Sequence, residues 1–368
     1  MSVNRRMTNG GAVYDVRLRT VDGTPYKRSF GTRRAAEVFE ARERADRSRG
    51  TWLDPRRAEA TFVDVAREWL ASNPAKRPGT FARDEGILRL HLQPALGSRP
   101  LGTITPGDVQ TLVNRWSKRQ KPRTVRRQFG VVRAIFHFAV ERDYIGRSPC
   151  RGIKLPEVEQ ATRPVVTSAD LERLAAELGP NDAPMAYLGV VLGLRWGECA
   201  GLRVGRIDFL RSTLIVAEQI TRGQGGRHVS GPPKSQAGRR TLAMPQVLAG
   251  MLTEHLARCG LTGADSDALV FVSEQGGPLR YKRWRRRVWL PAARRAGLEG
   301  LTFHDLRRAN ATALVLDGVD LKTAQTRLGH SDPRLTLAVY AQATSEADRA
   351  AADALGRRFL NARAMNAP

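Results

Sequence analysis

The carboxyl-terminal part of this chain contains polar residues whose types and order suit the chemistry of a phosphate ester. Three short motifs carry most of them: residues 193–198 (GLRWGE), 304–307 (HDLR) and 328–330 (LGH). A fourth motif, 232–235 (PPKS), lies between the first two, and a tyrosine follows the last motif by ten residues. The candidate catalytic residues, in chain order, are Arg195, Glu198, Lys234, His304, Arg307, His330 and Tyr340.

Each residue type in this set has a task in cutting a phosphodiester. Arg195 and Arg307 supply planar, permanently charged donors for the non-bridging phosphate oxygens. Lys234 can protonate the leaving oxygen, and the two histidines can bind the phosphate or move a proton. Tyr340 can attack the phosphorus and keep the phosphate as a covalent ester. Glu198 is expected to orient an arginine.

Taken alone, each residue also has a simpler interpretation. Arg195 could cap the end of an apolar helix, and Lys234 could be a solvated lysine in a turn. The two histidines could be ordinary helix-terminus residues, since Gly329 is a good helix stop. Tyr340 has apolar neighbours and could belong to a core. The occurrence of all the motifs in one order favours the chemical interpretation.

The order Arg, Lys, His-x-x-Arg, His, Tyr resembles the catalytic set of the tyrosine recombinases, the family of phage integrases and their relatives. The resemblance implies a site-specific DNA recombinase that cleaves and rejoins DNA through a covalent 3′-phosphotyrosine at Tyr340. Integration or excision of a phage or another mobile element is the expected biological role. Arg308 and Gln342 depart from the family pattern, in which histidine is frequent at both positions.

The same resemblance implies the partners. Double-stranded DNA with attachment-type sites is the expected substrate, and four protomers are expected to assemble on it. A DNA-bending protein and a directionality factor are further expected partners. No cofactor is expected, because the phosphotyrosine ester conserves the energy of the broken bond. A type IB topoisomerase and a non-catalytic DNA-binding regulator with a recombinase fold are the alternatives.

Composition agrees with a nucleic-acid partner. The 368 residues carry a formal net charge of +25, and the basic excess is spread along the whole chain. Such a balance favours a polyanionic partner. The three cysteines form no CxxC pair, which argues against a disulfide framework or a structural zinc site, and no metal is expected. The sequence shows no apolar run of transmembrane length and no signal-peptide pattern, so we expect a cytoplasmic protein associated with DNA.

The pattern along the chain predicts three parts. Residues 1–58 alternate apolar and polar positions and then become a charged helix, and they resemble the arm-site-binding domain of phage integrases. Residues 59–150 predict four helices, similar to a core-site-binding domain, with Thr61, Thr80 and Thr105 as helix caps. Residues 151–164 read as a linker, and residues 165–368 as a catalytic domain with a carboxyl-terminal tail.

The expected fold is mostly α with small β elements. It combines an amino-terminal three-stranded sheet plus helix, a helical core-binding domain and a mixed α/β tyrosine recombinase catalytic domain. Strands are predicted near residues 213–221 and 239–244, and Thr302 with Asp305 should cap the helix that carries His304 and Arg307.

Several basic residues are candidates for contact with DNA. A run of arginines at 282–287 either binds phosphates or is a solvated helix face, with Trp284 and Trp289 anchoring it to the core. The full set of candidates is Arg126, Arg127, Arg239, Arg240, Lys282, Arg283, Arg285 and Arg286.

Overall fold

The computed structural model describes residues 2–8, 11–20, 23–49, 52–159, 166–222, 228–233 and 235–340, together with 352 and 355. The chain forms two compact units, Met1–Gln160 and Ala161–Pro368.

The first unit begins with an antiparallel sheet in the order β1 (Ser2–Thr8), β2 (Gly11–Arg19) and β3 (Pro25–Phe30). Helix α1 (Arg33–Ser48) follows, and the side chain of Thr32 caps its amino end. The alternating pattern of β2 buries Val16 and Leu18 against Ala36 of the helix. The predicted strands and helix are confirmed. The dipeptide Asp22-Gly23 is a sequence signal for a hairpin turn, and Asp22 lies outside the described residues.

The remainder of the first unit is helical. The helices are α2 (Phe62–Ala71), α3 (Pro78–Ile87), a π-helical turn (Leu88–Leu92), α4 (Gln93–Leu96), α5 (Pro106–Ser117) and α6 (Pro122–Glu141), with short 3₁₀ turns at Arg57–Glu59 and Leu101–Thr103. Thr61 and Thr105 cap α2 and α5 as predicted, and Thr105 forms a reciprocal capping box with Asp108.

The predicted cap at Thr80 is wrong. Helix α3 begins two residues earlier, at Pro78, with Arg77 in the capping position. Proline has a fixed φ that suits the first helical position and has no N–H to leave unsatisfied, so Pro78 starts the helix before the threonine.

The second unit is mixed α/β. Its helices are α7 (Ser168–Val191), α8 (Trp196–Ala200), α9 (Gln246–Arg258), α10 (Tyr281–Trp284), α11 (Leu290–Arg295), α12 (Phe303–Leu316), α13 (Leu321–Leu328) and α14 (Pro333–Tyr340). A π-helical turn (Arg285–Trp289) joins α10 to α11, and 3₁₀ turns occur at Val204–Arg206 and Gln236–Gly238. Helix α7 is interrupted at Gly179, whose φ is 74°.

Two small antiparallel sheets complete this unit. One has the order β4 (Ile207–Asp208), β5 (Thr213–Val216) and β8 (Arg240–Ala243); the other pairs β6 (Gln219–Arg222) with β7 (His228–Gly231). The strands predicted near residues 213–221 and 239–244 correspond to β5, β6 and β8, whereas β4 and β7 were not predicted. The expected fold class, mostly helical with small sheets, is confirmed. Helix α12 packs along α7, and Thr302 and Asp305 form the predicted capping box at its start.

Candidate active site

Arg195 lies at the turn between α7 and α8. Gly193, with φ of 65°, reverses the chain after α7, and Arg195 occupies the position before the first residue of α8. Its Nη1 donates to Oε1 of Glu198 at 2.7 Å, and its backbone N–H donates to Oε2 of the same carboxylate at 3.0 Å. About a third of the Arg195 side chain is exposed, so buried Glu198 orients the guanidinium while part of it remains accessible to solvent.

Arg307 connects the three motifs. It lies on α12, is 2% exposed, and donates to the carbonyl of Gly193 at 2.5 Å and to the carbonyl of Leu328. Burial, followed by the nearby charge of Arg195, lowers the pKa of Arg307 to about 9, which still leaves it protonated at neutral pH. An arginine has five N–H donors, so two carbonyls do not exhaust its capacity for a phosphate.

The carboxyl end of α13 accepts hydrogen bonds from three arginines. The carbonyls of residues 327, 328 and 329 accept from Arg240 at 2.6 Å, from Arg307, and from Arg195 at 3.4 Å. The last carbonyls of a helix lack partners within the helix and carry partial negative charge, which makes them good acceptors for cations. The helix end therefore gathers the guanidinium groups in one place.

His330 follows this helix end directly. Gly329 has φ of 60° and closes α13 in the left-handed conformation, as its sequence position predicted. The Nδ1 atom of His330 is 2.9 Å from Oγ1 of Thr336, a buried residue of α14. Burial, then the charge of Arg307, lowers the pKa of His330 to about 4, so the ring is neutral at pH 7.

His304 lies one turn before Arg307 on α12. Its side chain is exposed at the surface of the unit. Partial desolvation and then the charge of Arg307 lower the pKa of His304. The predicted arrangement of the two residues on one capped helix is confirmed.

Glu198 is buried and bridges two arginines. Besides Arg195, it accepts from Arg240, whose Nη1 and Nη2 lie 3.3 Å and 3.0 Å from its two oxygens. Burial alone raises the pKa of Glu198, but the charge and hydrogen bonds of Arg240, followed by those of Arg195, outweigh it, and the pKa is lowered. The carboxylate is thus ionised and fixed between them.

Arg240 corrects the sequence interpretation. We expected it to contact DNA, but its side chain is only 3% exposed and is held by Glu198 and by backbone carbonyls. A guanidinium enclosed in this way does not reach a phosphate at the surface. Arg239, its neighbour in sequence, is exposed.

Two predicted residues are described only in part or not at all. Lys234 lies outside the described residues. The residues before it are fixed, because buried Gln219 donates to the carbonyl of Pro232 at 3.0 Å and Pro233 is buried. Tyr340 is the last residue of α14, which packs against α12 and α13; its side chain lies outside the described set.

The remaining basic candidates lie where a polyanion can reach them. Trp284 and Trp289 are buried and anchor the arginine-rich helix, confirming their predicted role; Trp284 donates to Asp182 at 2.6 Å. The surface residues are Arg126, Arg127, Arg239, Lys282, Arg283 and Arg286, which are exposed, and Arg285, which is half-buried. Nε of Arg126 also donates to the carbonyl of Pro156 at 2.8 Å, within its own unit.

Sequence reasoning missed Thr336 and Gln219. Both are small or uncharged polar residues whose importance comes from one buried hydrogen bond to a catalytic candidate or its loop. Within the described residues, no group of three or more His, Cys, Asp and Glu side chains is placed to hold a metal ion. The described helices include none that combines the length and the apolar character needed to cross a membrane.

Comparison with known proteins agrees with this geometry. The model of the phage integrase family matches residues 165–347, and that of the phage integrase central domain matches residues 62–156. The integrase of Mycobacterium phage L5 is 27% identical over 351 residues, which span 91% of this chain and 92% of that protein.

Two solved structures share the fold. The Tn1549 transposon integrase in complex with a circular intermediate DNA has a TM-score of 0.68 and 23% identity, covering 80% of this chain and 99% of that one. The lambda integrase tetramer bound to a Holliday junction has a TM-score of 0.55 and 18% identity, covering 91% and 94%.

The two family models together cover most of the chain, and the chain therefore belongs to the phage integrase family. The predicted class of enzyme, a tyrosine-type site-specific recombinase, is confirmed.

Proposed function

We propose that this recombinase cleaves and rejoins DNA through a 3′-phosphotyrosine at Tyr340 and thereby integrates or excises a phage or mobile element. The observation that carries the proposal is the convergence of Arg195, Arg307 and His330 at the carboxyl end of α13. Helix α14 begins immediately afterwards and ends at Tyr340. Phosphate-binding donors and the nucleophile therefore belong to adjacent elements of one unit.

In the proposed reaction, the Tyr340 oxygen attacks the phosphorus and the bond to the 5′ oxygen breaks. Arg195 and Arg307 bind the non-bridging oxygens, where negative charge concentrates in the transition state. Lys234 donates a proton to the departing 5′ oxygen, which leaves as a hydroxyl. That hydroxyl, or one from a partner strand, later attacks the phosphotyrosine and releases the tyrosine. The two steps together therefore require no cofactor.

Two histidines and one carboxylate complete the set. His330 is neutral at pH 7, so it can donate a hydrogen bond to the phosphate or accept the tyrosine proton. His304 is accessible one turn from Arg307 and can contact the same phosphate. Glu198 supports Arg195 from its buried side and does not contact DNA.

The other segments are proposed to bind DNA. Residues 1–58 would bind distant arm sites, residues 59–150 the core site, and residues 151–164 would link them to the catalytic domain, 165–368. The exposed arginines of both units supply phosphate contacts. A chain beginning at residue 59 should cleave core sites but lose integration on arm-bearing DNA, with a shallower salt dependence of binding. Equal integration by the full chain and by the chain that begins at residue 59 would show that residues 1–58 do not bind arm sites.

The proposed assembly is a homotetramer on two attachment-type DNA sites. The lambda integrase, which shares the fold, forms a tetramer on a Holliday junction, and this supports the proposal. A DNA-bending protein and a directionality factor are proposed as accessory partners. Because its substrate is DNA, the protein is proposed to act in the cytoplasm, at the nucleoid.

The experiment uses a binding site selected by the full chain from a random-sequence duplex library and then nicked near the cleavage point. After cleavage, the short fragment that carries the free 5′ hydroxyl diffuses away, so religation cannot occur and the covalent adduct accumulates. The adduct is measured as a slower band on a denaturing gel. Tyr340→Phe should bind this DNA like the parent and form no adduct. Tyr187→Phe is the control, since among the described residues its hydroxyl donates to the surface residue Glu172.

An adduct that forms with Tyr340→Phe would show that another residue is the nucleophile. Recombination between two such sites in the parent then separates a recombinase from a topoisomerase, which needs one site only.

A further inference from the structure

Arg240 is an enclosed charged residue beside the proposed active site, and it has no role in the reaction described above. It is the first residue of β8 and follows the 3₁₀ turn Gln236–Gly238. Its side chain is 3% exposed, and its ion-pair partner Glu198 is 1% exposed. Burying a charge costs free energy unless it is paired and hydrogen-bonded, so the position demands an explanation.

The guanidinium of Arg240 bonds to three separate segments. Its Nη1 and Nη2 bind both carboxylate oxygens of Glu198, Nη1 also donates to the carbonyl of Gly238 at 3.0 Å, and Nε donates to the carbonyl of Arg327 at 2.6 Å. Glu198 belongs to α8, Gly238 to the 3₁₀ turn Gln236–Gly238, and Arg327 to the end of α13. One side chain thus joins the helix that begins after Arg195, the turn that precedes β8, and the helix end that precedes His330.

The backbone around this contact is tightly packed. A Cβ at Gly329 would lie 2.8 Å from the carbonyl oxygen of Ala237 and 3.1 Å from Nη1 of Arg240. A Cβ at Gly238 would lie 2.5 Å from Cβ of Pro233. The turn at 236–238 and the end of α13 therefore approach each other so closely that only glycine fits, and Arg240 fills the space between them.

The charge of Glu198 depends on this arrangement. The charged and titratable groups that face it are Arg195, Arg240, the more distant Arg307 and the buried thiol of Cys199. Burial raises the pKa of Glu198, and Arg240 provides the largest opposing contribution. Without Arg240, the carboxylate would stay buried with Arg195 as its remaining close cation, and its pKa would rise.

We propose that Arg240 is a positioning residue for the cleavage reaction: it holds the Glu198 carboxylate in place and aligns Arg195 with the His330 end of α13. Arg240 touches no DNA in this role. The inference rests on the proposed function, since alignment matters only if these residues act on a phosphate.

The test compares Arg240→Met and Arg240→Lys with Arg239→Met, which removes the same charge from the exposed neighbouring position. Each full-length variant is assayed for binding to the selected DNA site, for the single-turnover rate of adduct formation from pH 5 to pH 9, and for thermal unfolding. The Glu198→Gln variant and the double variant Arg240→Met with Glu198→Gln complete the set.

Arg240→Met should bind DNA about as well as the parent and cleave it about 10²-fold more slowly near neutral pH, because small misplacements of catalytic groups cost rates of that order. Its rate should recover partly as the pH rises, since Glu198 then regains its charge. This loss of rate at low pH should be absent from the double variant, which has no carboxylate at position 198. Arg240→Lys keeps the charge but not the fork of donors, so it should cleave at an intermediate rate. Arg239→Met should weaken DNA binding and its salt dependence, and its cleavage rate should not fall at low pH in the way expected for Arg240→Met.

Equal pH–rate profiles for Arg240→Met and Arg239→Met would overturn the inference. If Arg240→Met does not fold, Arg240→Lys decides: a parental rate at every pH overturns the inference, and a reduced rate with parental DNA binding supports it. A parent chain that forms no adduct overturns the proposed function itself, and a parent adduct with unaffected Arg240 variants overturns only the positioning role.

Discussion

Lowering the pH should show that His330 resists protonation in the folded chain. The ring is partly buried beside Thr336, and burial, followed by the charge of Arg307, lowers the pKa of His330 to about 4. A histidine in an unfolded chain has a pKa of about 6.5. Between these values the unfolded chain binds a proton that the folded chain does not. Folding stability should therefore be highest above pH ~6.5 and fall as the pH drops toward 4.

The two pKa values give the size of the effect. A difference of one pKa unit corresponds to about 1.4 kcal/mol, so the complete loss would be about 3 kcal/mol. Between pH 7 and pH 5, proton linkage gives about 1.8 kcal/mol. Because the His330 ring is only partly buried, water screens part of the interaction, and we expect a loss of about 1 kcal/mol over this range.

The assay has two parts. The ring protons of the six histidines are titrated by NMR, and the His330 signal is assigned by its absence in His330→Gln. Urea unfolding of the parent, of His330→Gln and of the control His137→Gln, an exposed site, is then compared at pH 7 and pH 5. The parent and the control should lose about 1 kcal/mol more than His330→Gln. A His330 signal that titrates near pH 6.5 in the folded chain, or equal losses in all three proteins, would refute the reasoning.

Two further predictions concern the proton donor and the turn before Arg195. Lys234→Ala should cleave ordinary DNA about 10²–10⁴-fold more slowly than the parent, but it should recover on a 5′-bridging sulfur substrate, whose thiolate leaves without a proton. Arg195→Ala should stay slow on both substrates. Failure of the sulfur substrate to rescue Lys234→Ala would assign the proton to another group. Gly193→Ala should lose about 1–2 kcal/mol of unfolding free energy, because φ is 65° and the new Cβ would lie 2.6 Å from Oδ1 of Asn310. Gly250→Ala, in an open helix position, should be neutral or stabilising, and similar urea midpoints for the two alanine variants would contradict this.

Local signals predicted the start of several helices correctly. The pairs Thr105–Asp108 and Thr302–Asp305 each form a reciprocal capping box, because both partners lie within four residues and the contact needs no tertiary partner. The failure at Thr80 has the same local origin: Pro78 precedes it and sets the backbone first. Sequence reasoning works here because the competing interactions are all visible within one turn.

The two adjacent arginines at 239 and 240 show where prediction from the sequence fails, because both were expected to contact DNA. Neighbouring residues of an extended segment point to opposite sides, so one of any such pair faces inward. Nothing in the residue types says which one, since both are arginines. The answer depends on Glu198, 42 residues away, whose carboxylate needs a second cation once α8 is buried. A pair that reads as a single basic patch is therefore divided by the fold into one surface residue and one internal one.

The charge balance of the site follows from what holds the arginines. Glu198 is the one carboxylate among the described partners of these arginines, and it bonds to Arg195 and Arg240. The other described partners of Arg195, Arg240 and Arg307 are backbone carbonyls at Gly193, Gly238 and residues 327–329. Carbonyls orient a guanidinium without cancelling its charge. Had carboxylates served in their place, each arginine would be equally well placed but neutralised, and a phosphate would have to displace an anion before binding. A helix end provides such carbonyls with any side chains. The site therefore keeps its positive charge for an anion because backbone carbonyls orient the arginines. The residue types do not reveal these carbonyls, so the sequence motifs identify only the side chains around them.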